Sequence, residues 1–175
     1  MPDVNELFAK QMTWPRLIMK FGVECILCYN FYSYATDHRP DWDCFATHKK
    51  QPNGTDGTNM TDKFTTVIYT GFIISLVSAC LSFLEVLNKK MNNKQIIVLT
   101  GLGDTLIGLA ALAWLIWATV VRLSRDGAIC AGATTNVNSE MEPYAYEQGS
   151  FLAVMLVLMY VIPPTLFIAT NCGCL

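Results

Sequence analysis

Charge is what this sequence has least of. Only 15% of its 175 residues are Asp, Glu, Lys or Arg, against 53% hydrophobic, whereas soluble domains carry about 25% charged and roughly 45–50% apolar residues. That scarcity disfavours a soluble enzyme. No G-x-S-x-G, Walker loop, H-E-x-x-H or paired-cysteine zinc framework occurs, so the nucleophile, phosphate-cradle and metal arrangements those motifs supply are missing. Neither an enzyme nor a cofactor is expected. Internal repeats, low-complexity tracts and a second domain are lacking too. The long apolar runs do not alternate with polar residues as barrel strands do, which leaves helices as the way to satisfy every backbone group in lipid.

What is present is four such runs: Trp14 to Ala35, Phe64 to Leu87, Ile96 to Val121 and Gly149 to Thr170. Each is near or above the ~20 residues a helix needs to cross the hydrocarbon core. All but about five of the 26 charged residues lie outside them. The expected fold is an all-α membrane protein, a single four-helix transmembrane domain over 1–175 with two short lumenal or extracellular loops. The first run admits a second reading, because Ser33-Tyr34-Ala35 resembles a signal-peptidase site. Lys20 and Glu24 sit inside its apolar core, where a signal peptide keeps charge out, so the span reading is preferred.

Orientation follows from the loops. Lys and Arg divide six to six between the two sides, but the turn Asn88 to Gln95 holds three lysines and no acid, while the loops 36–63 and 122–148 hold nine carboxylates. Basic residues mark the cytosolic side. Asn53-Gly54-Thr55 and Asn59-Met60-Thr61 are both N-glycosylation acceptor patterns in the first long loop. Of seven cysteines, Cys44 and Cys130 fall one in each long loop. An oxidising lumen favours a single bridge between them; two unpaired thiols are the alternative. Cytosolic termini, with the long loops lumenal or extracellular in the secretory pathway or at the plasma membrane, are therefore expected.

Five charges are left inside the spans: Arg16, Lys20, Glu24, Glu85 and Asp104. Each costs roughly 2.5–3.5 kcal/mol in hydrocarbon unless it faces a partner or a cavity. Arg16, Lys20 and Glu24 recur every four residues and so share one helix stripe. Gly71, Ser75, Ser78, Ser82 and Glu85 form a small-residue seam on the second helix, and Gly101, Asp104, Gly108, Ala111 and Ala118 one on the third; such seams let membrane helices approach closely. Depth from the cytosolic ends pairs Lys20 with Asp104 or Glu24, and Arg16 with Glu85. An ion-pair cluster that fixes helix register is the preferred reading. A proton or cation relay and a docking site for another subunit are the others.

Pro163-Pro164 removes two backbone donors from the fourth helix and is expected to kink it. Trp14, Tyr29, Tyr32, Tyr34, Trp114 and Trp117 gather toward span ends, as interfacial anchors do. The segment Asp37 to Cys44 with His48 offers metal-ligand residue types, but its spacing matches no ligand pattern, and no metal site is expected. Residues 53–62 are rich in turn formers and are expected to lack regular structure. Cys172 and Cys174 in the cytosolic tail are candidates for S-palmitoylation, with plain thiols as the alternative; Gly and Cys are not the aliphatic residues a prenylation signal prefers.

The run Gly103-Asp104-Thr105-Leu106-Ile107-Gly108-Leu109-Ala110-Ala111-Leu112-Ala113-Trp114-Leu115-Ile116-Trp117-Ala118 resembles the third span of MARVEL-domain tetraspan proteins, including the physins and the plant Casparian-strip-like group. The resemblance implies cytosolic termini, a basic residue in helix one, here Arg16 or Lys20, and an acid early in helix three, here Asp104. Only these sixteen residues carry sequence similarity, whereas the size, the short inner turn and the two modest loops fit across the whole topology. Claudin-like proteins have a Gly-Leu-Trp and two-cysteine signature and tetraspanins a Cys-Cys-Gly motif, and this chain has neither. The implied function is non-enzymatic: organising membrane, or scaffolding membrane-protein assembly and trafficking by lateral association. An accessory subunit of a channel, transporter or receptor complex is the alternative. The partners expected are the bilayer and other membrane proteins, with no nucleic acid.

Overall fold

The computed structural model describes residues 14–36, 45–46, 58–91, 93–130 and 146–171. Their helices are α1 (Trp14–Thr36), α2 (Met60–Met91), α3 (Lys94–Leu123), α4 (Arg125–Cys130) and α5 (Tyr146–Asn171), with the two-residue strands β1 (Phe45–Ala46) and β2 (Thr58–Asn59) between α1 and α2. The described residues are thus helical apart from one minimal strand pair and the short links at 93 and 124. By length and composition α2 and α3 are long and apolar enough to cross a membrane.

Each long helix contains one of the four apolar runs and extends past it. The excess is largest in α2, which begins at Met60 and ends at Met91 instead of running from 64 to 87. An apolar run stops at the first polar residues; the backbone hydrogen-bond ladder does not. Pro15 sits in the first turn of α1, where its missing N–H needs no partner. At the other end of the α2–α3 connection, two asparagines set the turn. Asn93 precedes α3 and its Oδ1 accepts the N–H of Gln95 at 3.0 Å, a helix N-cap. The N–H of Asn93 in turn donates to Oδ1 of the buried Asn88 at 2.9 Å.

Two expectations for the loops are corrected. Residues 53–62 are not wholly irregular, since β2 pairs antiparallel with β1, Phe45 opposite Asn59 and Ala46 opposite Thr58, and α2 starts directly after. That pairing joins segments more than ten residues apart and leaves no mark in local turn propensity. Within 122–148, Ser124 caps a further helix, α4, by accepting the Gly127 N–H at 3.1 Å. Helix α5 continues across Pro163-Pro164 as helix.

The chain forms two compact units, the first from residues 1–33 and 69–112, the second from 34–68 and 113–175. In the first, α1 and α2 run antiparallel: Phe21 lies against Phe83 with ring centroids 5.8 Å apart, and Tyr32 against Phe72 at 5.4 Å. At Gly71 they approach closely, since a Cβ there would stand 2.7 Å from the buried Phe31 ring. In the second, Trp114 donates from Nε1 to the Val67 carbonyl at 2.8 Å, Arg122 from Nε to the Gly149 carbonyl at 2.9 Å, and Tyr34 stacks on Phe151 with centroids 4.1 Å apart. Helix α4 packs against both β1 and α5.

Polar side chains within the helices are largely satisfied internally. Thr66, Thr105 and Thr119 return their hydroxyls to the carbonyl four residues earlier, and Asn30 donates to Ile26 in the same way. In a medium without water this is the available solution.

Candidate functional site

Residue spacing decides which side chains turn inward. On α1 one line of buried or half-buried positions, Leu17, Lys20, Glu24, Leu27, Phe31 and Tyr34, advances by alternating steps of three and four, a mean period near the 3.5 of left-handed helix packing. Lys20 and Glu24 belong to that line. Arg16 does not: Leu17 takes the inward place in the first turn and Arg16 is exposed. On α2 the same rhythm buries Gly71, Ser75, Ser78, Ser82 and Glu85, continuing to Asn88. The expected seam of this helix is therefore an inward face.

The α3 seam needs correcting. Asp104, Ala111 and Ala118 lie on its buried or half-buried line, together with Thr100, Ile107 and Trp114, but Gly101 and Gly108 are exposed and a Cβ on either would meet nothing within 4 Å. The physical reason is register: Gly101 and Gly108 each stand one residue, about 100° of helix rotation, on from Thr100 and Ile107 of the buried line, and so fall to one side of it. The indole of Trp114, on that line, is buried and hydrogen bonded to Val67. Trp114 is thus a packing and hydrogen-bonding residue, not an interfacial anchor; Trp14, Tyr29, Tyr32 and Trp117 remain exposed.

These faces bring together three of the five charges that interrupt the apolar runs. The Lys20 ammonium lies 3.0 Å from Glu85 Oε2 and 2.7 Å from Asp104 Oδ2, donating a hydrogen bond to each. One lysine on α1 therefore ties α2 and α3 at a single level. The Glu85 side chain is buried, at 7% exposure, whereas Lys20 and Asp104 keep 34% and 36%. Arg16 and Glu24 make no salt bridge among the described residues. The expected Lys20–Asp104 pair forms, the Arg16–Glu85 pair is replaced by Lys20–Glu85, and Glu24 is not the partner of Lys20. Geometry accounts for the exchange: Lys20 is both on the inward line and long enough to reach two helices, and Arg16 is not on that line.

What this arrangement does chemically is hold two carboxylates on one ammonium. Removing either sign alone strands a charge in a poor solvent for it, which is why paired groups of this kind fix register. Along α2 the polar line goes on from Glu85 through Ser82, Ser78 and Ser75, about three turns, and stops at Gly71 against Phe31. The buried Ser82 Oγ has no hydrogen-bond partner. Sequence reasoning found these serines as a small-residue seam and missed them as a polar continuation; their alternating steps of four and three, ending at Glu85, were the signal.

Other expected positions lie where less is described. Cys44, Asn53, His38, His48, Cys172 and Cys174 fall outside the described residues, and Asn59 is in β2. Cys130 ends α4, is buried, and is not a free thiol, unlike Cys25, Cys28 and Cys80. No family model matches the chain, and neither a curated protein nor a solved structure does.

Proposed function

We propose that the chain is a non-enzymatic, four-span membrane protein of MARVEL-like type that organises membrane or scaffolds membrane-protein assembly by lateral association. The observation that carries this reading is the division of surface on α3. Leu102, Leu106, Leu109, Leu112, Ile116 and Val120 are all more than half exposed, while the polar Thr100 and Asp104 turn to the buried line. In water such a face is an aggregation liability; in a bilayer it meets lipid or another helix. The Lys20–Asp104 contact supports the resemblance, since it joins the basic residue of helix one to the early acid of helix three.

Termini in the cytosol, glycosylation at Asn53 and Asn59, lipidation at Cys172 and Cys174, and a Cys44–Cys130 bridge complete the proposal. For the bridge the support is local: α4, which ends at the buried Cys130, packs against β1, which starts one residue after Cys44. A shift in gel mobility on reduction, lost in each single-cysteine variant, is the expected result.

The test of function is purification from native membranes with mass spectrometry of what accompanies the chain. Several membrane proteins, or self-association, are expected. One stoichiometric partner would favour the accessory-subunit alternative, which the partial exposure of Lys20 and Asp104 also suits. The surface to vary for that purpose is Gly101 and Gly108. Ser78→Leu would instead disrupt the chain's own packing, since Ser78 is buried on α2. Flux in liposomes abolished by Asp104→Asn would overturn both readings in favour of transport.

A further inference from the structure

The Lys20 triad has an electrostatic consequence for the end of the first unit. Antiparallel packing of α1 on α2, shown by the Lys20–Glu85 and Phe21–Phe83 contacts, puts the first turn of α1 beside the last turn of α2 and the start of α3. Arg16 lies one turn, or ~6 Å, before Lys20. Lys89 and Lys90 lie about one turn beyond Glu85, and Lys94 opens α3. The two acids nearest this end, Glu85 and Asp104, are both engaged by Lys20. No Asp or Glu occurs in 14–23 or 86–103, and the preceding residues 1–13 add Asp3 and Glu6 against Lys10. Arg16, Lys90 and Lys94 are exposed, and Glu85 pairs with Lys20. Lys89, by contrast, already makes an interaction of its own.

We propose that Arg16, Lys90 and Lys94 form a binding surface for the headgroups of anionic phospholipids in the leaflet at this end of the protein. The inference rests on the membrane reading above. Basic residues held at the boundary of an apolar helix sit at headgroup level, where each attracts an anionic surface enough to shift partitioning about fivefold, roughly a hundredfold for three at low salt. Helices α2 and α3 supply the apolar body that brings the cations to that depth. The triad engages the two acids nearest them, and among the described residues Arg16, Lys90 and Lys94 make no salt bridge.

The experiment reconstitutes the full chain in vesicles of phosphatidylcholine with a minor fraction of phosphatidylserine, extracts it mildly, and reads the retained lipids by native mass spectrometry. Phosphatidylserine is expected to be enriched several-fold over its bulk share, with the enrichment falling at high salt and vanishing in Arg16→Gln/Lys90→Gln/Lys94→Gln. All three positions are exposed, so folding is preserved, and a thermal melt checks it. A charge-matched control, Lys49→Gln/Lys50→Gln/Lys63→Gln, is expected to keep the enrichment. No enrichment in the parent chain, equal loss in both triple variants, or displacement by inorganic phosphate at equal headgroup concentration would each overturn the proposal. Carbonate extraction of the same vesicles separates the two levels: a chain washed off refutes the membrane reading, whereas an embedded chain without enrichment refutes the lipid surface alone.

Discussion

Helices α2 and α3 are nearly matched, at 32 and 30 residues and with similar apolar character, yet they spend it differently: the most apolar stretch of α2 is 39% buried and that of α3 only 17%. The difference lies in where small and polar residues recur. On α2 the three serines share one line with Gly71 and Glu85, and that line turns inward. On α3 the small and polar residues are divided between a buried line through Asp104 and an open side holding Gly101 and Gly108. Apolarity alone places a helix in a membrane; the rotational position of its few polar and small residues decides what it packs against.

The contrast breaks most completely at the residue that joins both helices to α1. Lys20→Met leaves Glu85 buried without its cation and is expected to cost about 3 kcal/mol, toward the lower end for breaking a buried pair because Lys20 is partly exposed. Stability in detergent against denaturant measures it, and Glu85→Gln in the same chain should restore part of the loss. Identical glycine replacements then separate the two helices. Gly71→Ala forces a methyl against the Phe31 ring, with an expected loss of about 2 kcal/mol typical of overpacking, read as a lower melting temperature. Trp114→Phe keeps most of the ring but removes the indole donor, while the Val67 carbonyl keeps its bond within α2. About 1 kcal/mol is the expected loss, and an unchanged melting temperature would remove this hydrogen bond from the account of how α3 is oriented. The smallest effect is the mirror of the second: Gly108→Ala, in open space, should shift stability by no more than ~1 kcal/mol and toward greater stability through helix propensity. If Gly108→Ala proves as damaging as Gly71→Ala, the open side of α3 is covered in the functional assembly.

How far these features were legible depended on their range. The four long helices were, because runs of apolar residues and the absence of alternation are local properties. So was the α2 seam, since its serines repeat at four-three steps whatever the neighbours do. The α3 seam was misplaced by one glycine line, because small residues stand on two adjacent lines there and spacing does not reveal which of them is buried. The β1–β2 pairing and the α4 helix escaped notice for the same reason, each depending on contacts beyond local propensity or on a single Ser124 cap. In the charge cluster, the list of misplaced charges came from composition, while the choice of Lys20 over Arg16 came from packing.

By itself, then, the amino-acid sequence determined the helical class, the extent of each apolar run to within a turn or two, and the identity of the charges that hydrocarbon would not tolerate, because these follow from hydropathy and backbone hydrogen bonding along one chain. Only the tertiary structure decided which of those charges meet. An ion pair needs two side chains at one depth and on facing sides, and which side of a helix faces inward is a matter of packing: on α1 the buried line runs through Leu17 and Phe31 and takes Lys20 with it, leaving Arg16 exposed.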